Sequence, residues 1–304
     1  MSDTQMTSAQ TPTQHPAAAR EGLPPPTRFN LWTWMRSDKR AAISLAYLSL
    51  LLLCAVLAPV IAPYAPNQQN LMNMLAPPSW EHWLGTDDLG RDTLSRLIYG
   101  SYNALYAAFL AVGIAVAIGV PVGVFIGFVG GWIDEVVSRV IDGVLAFPPL
   151  VLAVAVTGAL GIGLTNAMIA VGLAFAPVLA RTMRAQTLVV KNALYVEAAT
   201  GFGASRPHLI TRHILPNAIQ PVIVEVTLML AVALLAEAGL SFLSLGVQPP
   251  EASWGGMLAR AYHYVEMAPA QMYAPGFAIL FTALAFNTLG ESMRVLLDPT
   301  MKRR

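Results

Sequence analysis

The chain has 304 residues, 56% of them hydrophobic and only 12% charged, with 18 Lys+Arg against 17 Asp+Glu and a mean hydropathy of +0.57. A soluble fold carries about 25% charged residues to cover its surface, so this composition excludes an ordinary soluble domain and predicts an all-α polytopic chain solvated by membrane lipid. The net charge of +1 gives no footprint for nucleic acid, and a single cysteine, Cys54, excludes an internal disulfide or a cysteine metal cluster. Within its apolar run Cys54 reads as a packing residue.

In chain order, residues 1–35 are rich in Pro, Thr, Gln, Ser and Ala, include Pro24, Pro25 and Pro26, and read as a disordered tail. The first apolar run, Ala41 to Ala62, is longer than a signal-peptide core and predicts a retained membrane helix. A segment through residue 103 then leads into a five-helix core over 104–298. Its spans are predicted at about Ala104 to Val129, Val137 to Leu160, Asn166 to Val189, Ala218 to Leu243 and Ala274 to Arg294. No charge lies between Gly143 and Ala180, so the third and fourth spans are divided at Gly161 to Asn166, where glycines and a Thr165/Asn166 cap supply turn chemistry. A short basic tail, 299–304, follows.

The basic residues orient these six spans. With the N-terminus inside, the inner side holds fifteen of the 18, including Arg139, five from Arg181 to Arg212, and Arg294. Only Arg91, Arg96 and Arg260 fall outside. The bias predicts cytoplasmic N- and C-termini.

The second span carries Ala107, Ala111, Ala115, Gly119, Gly123 and Gly127, a small residue at every fourth position. Such a stripe admits close approach of another helix and is expected to be a packing seam rather than a pore lining. Pro121, Pro148, Pro149 and Pro177 are expected to kink or unwind their spans. Asp142, Glu225 and Glu237 lie within spans, each costing about 2.5–3.5 kcal/mol at mid-bilayer if unpaired, so they either line a pathway or bond between helices. Glu225 and Glu237 are separated by about 18 Å and 120° along an ideal helix and cannot form one carboxylate pair.

No phosphate loop, His-Glu-x-x-His or Gly-x-Ser-x-Gly motif is present, and His208 and His213 miss the i, i+4 spacing of a helical metal pair. Neither catalytic nor metal residues are assigned, and the energy for transport must come from a gradient or a partner.

The long inner segment 190–217 is the most informative. Asn192 is placed to cap a short helix through Tyr195 to Ala199, which Gly201 and Gly203 break. Ser205 is placed to cap a second helix with Pro207 in its first turn, which Pro216 closes. Within it stand Glu197-Ala198-Ala199, then Gly203, then Ile214-Leu215-Pro216. This resembles the Glu-Ala-Ala loop of ATP-binding-cassette importer permeases, whose coupling helix docks into a cleft of the cytoplasmic ATPase. One departure is His213, where the pattern has an apolar residue; Ile214 is left to fill that role.

A second signature, Leu84-Gly85-Thr86-Asp87-Asp88-Leu89-Gly90-Arg91-Asp92, resembles the external segment of the dipeptide, oligopeptide and nickel permeases. So do Ser241-Phe242-Leu243-Ser244-Leu245-Gly246, Gln248-Pro249-Pro250, Trp254-Gly255 and Leu297-Asp298-Pro299. The resemblance covers about residues 36–300 and implies the type I importer permease fold. It assigns ATPase coupling to Tyr195, Glu197, Ala198, Ala199, Gly203, Ala204, Arg212 and Pro216.

It also implies partners: a homologous second permease, two cytoplasmic ATPases that bind ATP and Mg, and an extracytoplasmic binding protein. The location would be a prokaryotic inner membrane. The chain itself would bind no cofactor and hydrolyse nothing. The implied cargo is a dipeptide or short oligopeptide, in a group that also carries glutathione and nickel chelates. In the external signature Gly85, Asp87, Gly90, Arg91 and Asp92 stand out. Arg91 and Asp92 are suited either to a peptide terminus or to local salt bridging and turn capping. The rival from another class is a proton-coupled secondary transporter using Asp142, Glu225 and Glu237, against which stands the lack of a visible inverted repeat.

Overall fold

The computed structural model describes residues 38–297; the predicted tails at 1–35 and 299–304 lie outside the described residues. The helices are α1 (Lys39–Ile61), α2 (Thr93–Val129), α3 (Gly131–Leu145), α4 (Pro149–Leu160), α5 (Leu164–Lys191), α6 (Leu194–Gly201), α7 (Arg206–Phe242), α8 (Trp254–Tyr262) and α9 (Ala270–Leu297). Among the described residues β pairing is confined to an isolated antiparallel bridge between Thr86 and Asp92.

Five helices are long and apolar enough to cross a membrane, and six crossings result when α3 and α4 count as one bent span. That third span is not the continuous helix expected from Val137 to Leu160: α3 and α4 meet at 89°. Pro148 and Pro149 supply the reason. Each lacks an N–H, and Pro149 forces Pro148 into extended backbone (φ −56°, ψ 128°) before starting α4 at its first turn. Pro121 and Pro177, by contrast, sit inside helices that continue past them.

Two other boundaries differ from expectation. α2 begins eleven residues before Ala104, at Thr93, because Asp92 caps it: the Asp92 carboxylate accepts from the Ser95 N–H at 2.7 Å. At about 55 Å this helix outruns a hydrocarbon core of about 30 Å, so its first turns stand beyond the membrane. Asn166 lies inside α5 and does not cap it; its side-chain amide instead donates to the Leu160 and Gly161 carbonyls at 3.0 and 3.1 Å, closing α4. The turn between them uses Gly161 (φ +98°) and Gly163 (φ +151°) as the glycine pattern suggested.

The most extensive helix contact is between α2 and α5. All six residues of the small stripe are buried there. A Cβ on Gly119 would lie 2.6 Å from the Ala176 carbonyl, and one on Gly123 2.5 Å from that of Ala180. Gly172 of α5 returns the contact, its absent Cβ falling 2.7 Å from the Ala111 carbonyl. The stripe is therefore a packing seam, with backbone against backbone. α7 packs on α5 and α2, and α9 on α7 and α1, with Leu179, Met183, Val222, Leu234 and Phe286 in the core interior. α6, Lys191 and Arg184 lie toward one end of this bundle; Arg91, Arg96 and Arg260 gather at the opposite end with α8.

Candidate functional site

α6 projects from the bundle between α5 and α7. Ala193, rather than Asn192, occupies its N-cap position, and the Asn192 amide donates to the Leu188 carbonyl at 3.0 Å, finishing α5. Gly201 is the last helical residue, and the reversal falls at Gly203, whose φ of +81° is a left-handed conformation that disfavours any side chain. Ser205 precedes the next helix in extended backbone but makes no side-chain cap bond.

Pro216 does not close that helix. Between Leu209 and Ile214 the chain forms a π turn, in which the Leu215 N–H reaches back five residues to the Ile210 carbonyl. The α register restarts there, with Pro216 in its first turn, where a missing N–H leaves no gap. Arg206 to Phe242 thus forms one continuous 37-residue helix, α7.

On α6, Val196 is buried and anchors the helix, while Tyr195, Glu197 and Ala198 are exposed and Ala199 is half-buried. Glu197 falls in the first turn, where the helix dipole favours its charge. Ala204 is half-buried, and Arg212 and Pro216 are exposed. Tyr195 leans on His213, ring centroids 6.4 Å apart, and His213 meets His208 edge-on at 5.5 Å, joining α6 to the first turns of α7.

Sequence reasoning missed the flanking residues Leu194 and Phe202, which are 83% and 93% exposed. The available signal was two large apolar side chains bracketing the Glu-Ala-Ala run in a segment between two spans. Together with Tyr195 and Ala198 they form an uncovered apolar surface with small residues at its centre.

The three carboxylates within spans are not brought together. Asp142 forms an ion pair with Arg181 of α5, both side chains more than half exposed. Beside it, Asp134, which sequence reasoning did not single out, holds Arg184 in a fork with Nη2 at 2.6 Å from Oδ2 and the Nε closing the second arm. α3 is thereby tied to α5 by two ion pairs, one in its first turn and one just before the bend. Glu237, only 1% exposed, accepts from Ser241 Oγ at 2.7 Å, and the same hydroxyl accepts from the Val247 N–H at 3.1 Å. Glu225 is half-buried and faces a cleft of about 630 Å³ between α5, α7 and α9.

The signature segment at the opposite end folds into a polar hub. Asp87 accepts from Arg91 Nε at 2.7 Å and from the Leu89 and Arg91 N–H groups at 2.9 and 3.0 Å. Asp92 caps α2 and meets His82 Nδ1 at 2.8 Å. Gly85 (φ +74°) and Gly90 (φ +66°) turn the chain; a Cβ on Gly90 would fall 1.8 Å from the Asn70 carbonyl.

Arg96, 4% exposed, donates to the Pro66 carbonyl at 2.8 Å and reaches those of Pro250 and Glu251. Trp254 Nε1 donates to the Leu97 carbonyl at 2.9 Å, with Gly100 leaving room for the indole. Arg260 pairs with Asp88 at 2.9 Å. Of the two roles open to Arg91 and Asp92, this geometry performs the local one: salt bridging and helix capping.

Residues 119–303 match the family described as the binding-protein-dependent transport system inner membrane component. The chain belongs to this family. Residues 30–78 match the N-terminal transmembrane domain of oligopeptide transport permease C. The permease is 42% identical, over 90% of its length and 93% of the other's, to the probable D,D-dipeptide transport system permease protein DdpC of Escherichia coli (strain K12). To the dipeptide transport system permease protein DppC of Alkalihalophilus pseudofirmus it is 38% identical, over 88% of each chain. The glutathione transport system permease protein GsiD of Shigella flexneri is 40% identical over 89% of this chain and 90% of the relative.

In structure the permease resembles the inward-facing MetNI methionine ABC transporter. The TM-score is 0.54 at 20% identity, covering 67% of this chain and 96% of the other, which shows the type I importer fold. The permease is a multi-pass inner membrane subunit of an ATP-driven importer and not itself an enzyme, since ATP hydrolysis belongs to partner ATPases. Family membership sets the proton-coupled alternative aside.

Proposed function

We propose that this permease forms half of a translocation pathway for dipeptides or short oligopeptides. A homologous second permease would supply the other half, an extracytoplasmic binding protein would deliver the cargo, and two cytoplasmic ATPases holding ATP and Mg would drive it. The named relatives that carry dipeptides and glutathione support the cargo class. The placement of fifteen of the 18 basic residues supports cytoplasmic termini and a cytoplasmic α6.

One observation carries the coupling role: the uncovered apolar surface of Leu194, Tyr195, Ala198 and Phe202 on a short helix braced by Val196. Such a surface stays soluble only against a partner. Closure of the ATPases on ATP would drag α6, and because α6 bears on the first turns of α7, the pull would reach the pathway helices as a switch between inward and outward access. Glu197 would meet a basic group of the ATPase, and Gly203 would set the angle between α6 and α7. Asp142 and Glu237, each held by its own partner, fit structural roles; Glu225 is the carboxylate assigned to the pathway.

The test is ATP-driven peptide uptake by reconstituted complex carrying Ala199→Arg or Gly203→Pro. Both variants are expected to assemble yet to lose roughly tenfold or more of uptake. Assembled variants that transport at the wild-type rate would overturn the coupling assignment.

A further inference from the structure

Glu225 differs from the other two carboxylates within spans. Asp142 has Arg181 and Glu237 has Ser241, whereas among the described residues Glu225 makes neither an ion pair nor a hydrogen bond. A carboxylate at membrane depth without a partner is stable only where water or a bound cation reaches it. The cleft beside Glu225 meets that requirement. Its 630 Å³ lies within the range of small-ligand sites, and each of the three helices adds polar groups to a wall otherwise half apolar: Thr182 and Gln186 from α5, Asn217 and Gln220 from α7, and Arg294 from α9.

The donor set is specific in its chemistry. Glu225 offers a fixed negative charge, and Arg294, ranged along the same cleft, offers a positive one that its neighbour Glu291 engages only at 4.0 Å. The side-chain amides of Gln186 and Gln220 line the same cleft, each able both to donate to and to accept from a peptide unit. Asn217 is partly committed, its amide donating to the His213 carbonyl at 2.6 Å. One acid, one base and paired amides complement a short zwitterion with an ammonium at one end, a peptide bond in the middle and a carboxylate at the other.

We infer that this cleft is a substrate station on the inner half of the pathway, where Glu225 receives the free amino terminus of a short peptide and Arg294 faces its carboxylate. The inference rests on the peptide-permease reading above and assigns the residues that reading leaves open.

Two measurements on the full reconstituted complex test it. In the first, uptake of alanyl-alanine and of its N-acetylated form is compared between wild type and Glu225→Gln. The wild type is expected to prefer the free amine, and Glu225→Gln is expected to lower uptake of that form about tenfold while leaving the acetylated form nearly unchanged, the effect of losing one charge-assisted hydrogen bond.

In the second, Glu225→Cys is placed in a Cys54→Ala background and exposed to a membrane-impermeant cationic thiol reagent; rapid labelling, slowed by alanyl-alanine, is expected. Equal transport of both peptides by wild type and Glu225→Gln overturns the station and leaves the permease reading standing. Failure of wild type to move any peptide overturns the permease cargo instead. A Glu225→Cys that resists labelling in an active complex shows the cleft to be sealed by lipid or by the second permease, and sinks the inference whatever the cargo.

Discussion

Gly123→Leu is expected to abolish the native bundle. At this position a Cβ alone would stand 2.5 Å from the Ala180 carbonyl and 2.7 Å from the Met183 Cβ, and both neighbours are held by the rest of α5. Overpacking of a yielding core costs about 1–3 kcal/mol, and here the obstacle is backbone, so the cost exceeds that range. Leucine would force α2 and α5 apart along their whole contact. Gly119→Leu is expected to act in the same way, since the Ala176 carbonyl lies 2.6 Å from its missing Cβ. Gly113, on the same helix, has nothing within 4 Å of a built Cβ, so Gly113→Ala is expected to be neutral or to stabilise by about 0.5–1 kcal/mol. Thermal unfolding in detergent and the yield of monodisperse protein distinguish these outcomes. A Gly123→Leu protein as stable as Gly113→Ala would show that the seam is not a close contact.

The second large effect is expected at the polar hub. Asp87→Ala removes the carboxylate that Arg91 meets at 2.7 Å through both Nε and Nη2, and Asp88, at 3.9 Å, is too distant to replace it. Arg91 is 2% exposed, so its charge would remain buried without a close partner. Breaking a buried pair from one side costs about 3–5 kcal/mol. Removing both sides, as in Asp87→Ala with Arg91→Met, is expected to restore part of that loss. Recovery would be incomplete because the Leu89 and Arg91 N–H groups lose their acceptor as well. The double variant should therefore melt above the single one. If it melts lower, the Arg91 charge is not the source of the cost.

This hub explains why so specific a sequence signature need not contact cargo. The segment from Leu84 to Asp92 turns twice at glycines, caps the 37-residue α2 and, through Asp88, pairs with Arg260 of α8, 172 positions away. Its chemistry is spent inside the chain. The surface proposed for coupling is the opposite case: Leu194 and Phe202 touch little of their own chain and are left uncovered.

Much of the fold was legible in the residues because its determinants are local. Runs of apolar residues set the spans, the four-residue repeat of Ala and Gly in α2 marked the seam, and Gly203 marked the reversal after α6. Where local rules compete, boundaries moved. Asp92 as a cap drew α2 outward past its apolar run, and a π turn absorbed Pro216 where a stop was expected. Neither is visible as hydropathy, since one depends on a single carboxylate and the other on a shift of hydrogen-bond register.

By itself, then, the sequence determined a helical membrane bundle of up to six crossings and its family, because periodicity, charge bias and contiguous motifs are properties of neighbouring residues. Only the tertiary structure decided what four carboxylates within the helices meet. Asp142 finds Arg181 across 39 positions, and Asp134 finds Arg184 across 50. Glu237 is satisfied by a serine one turn away, and Glu225 is left facing a cleft drawn from three helices. The desolvation cost of a charge in a membrane is the same for each of them along the sequence; what offsets it is whichever group the fold brings alongside, from the next turn for Glu237 and from α5 for Asp142 and Asp134.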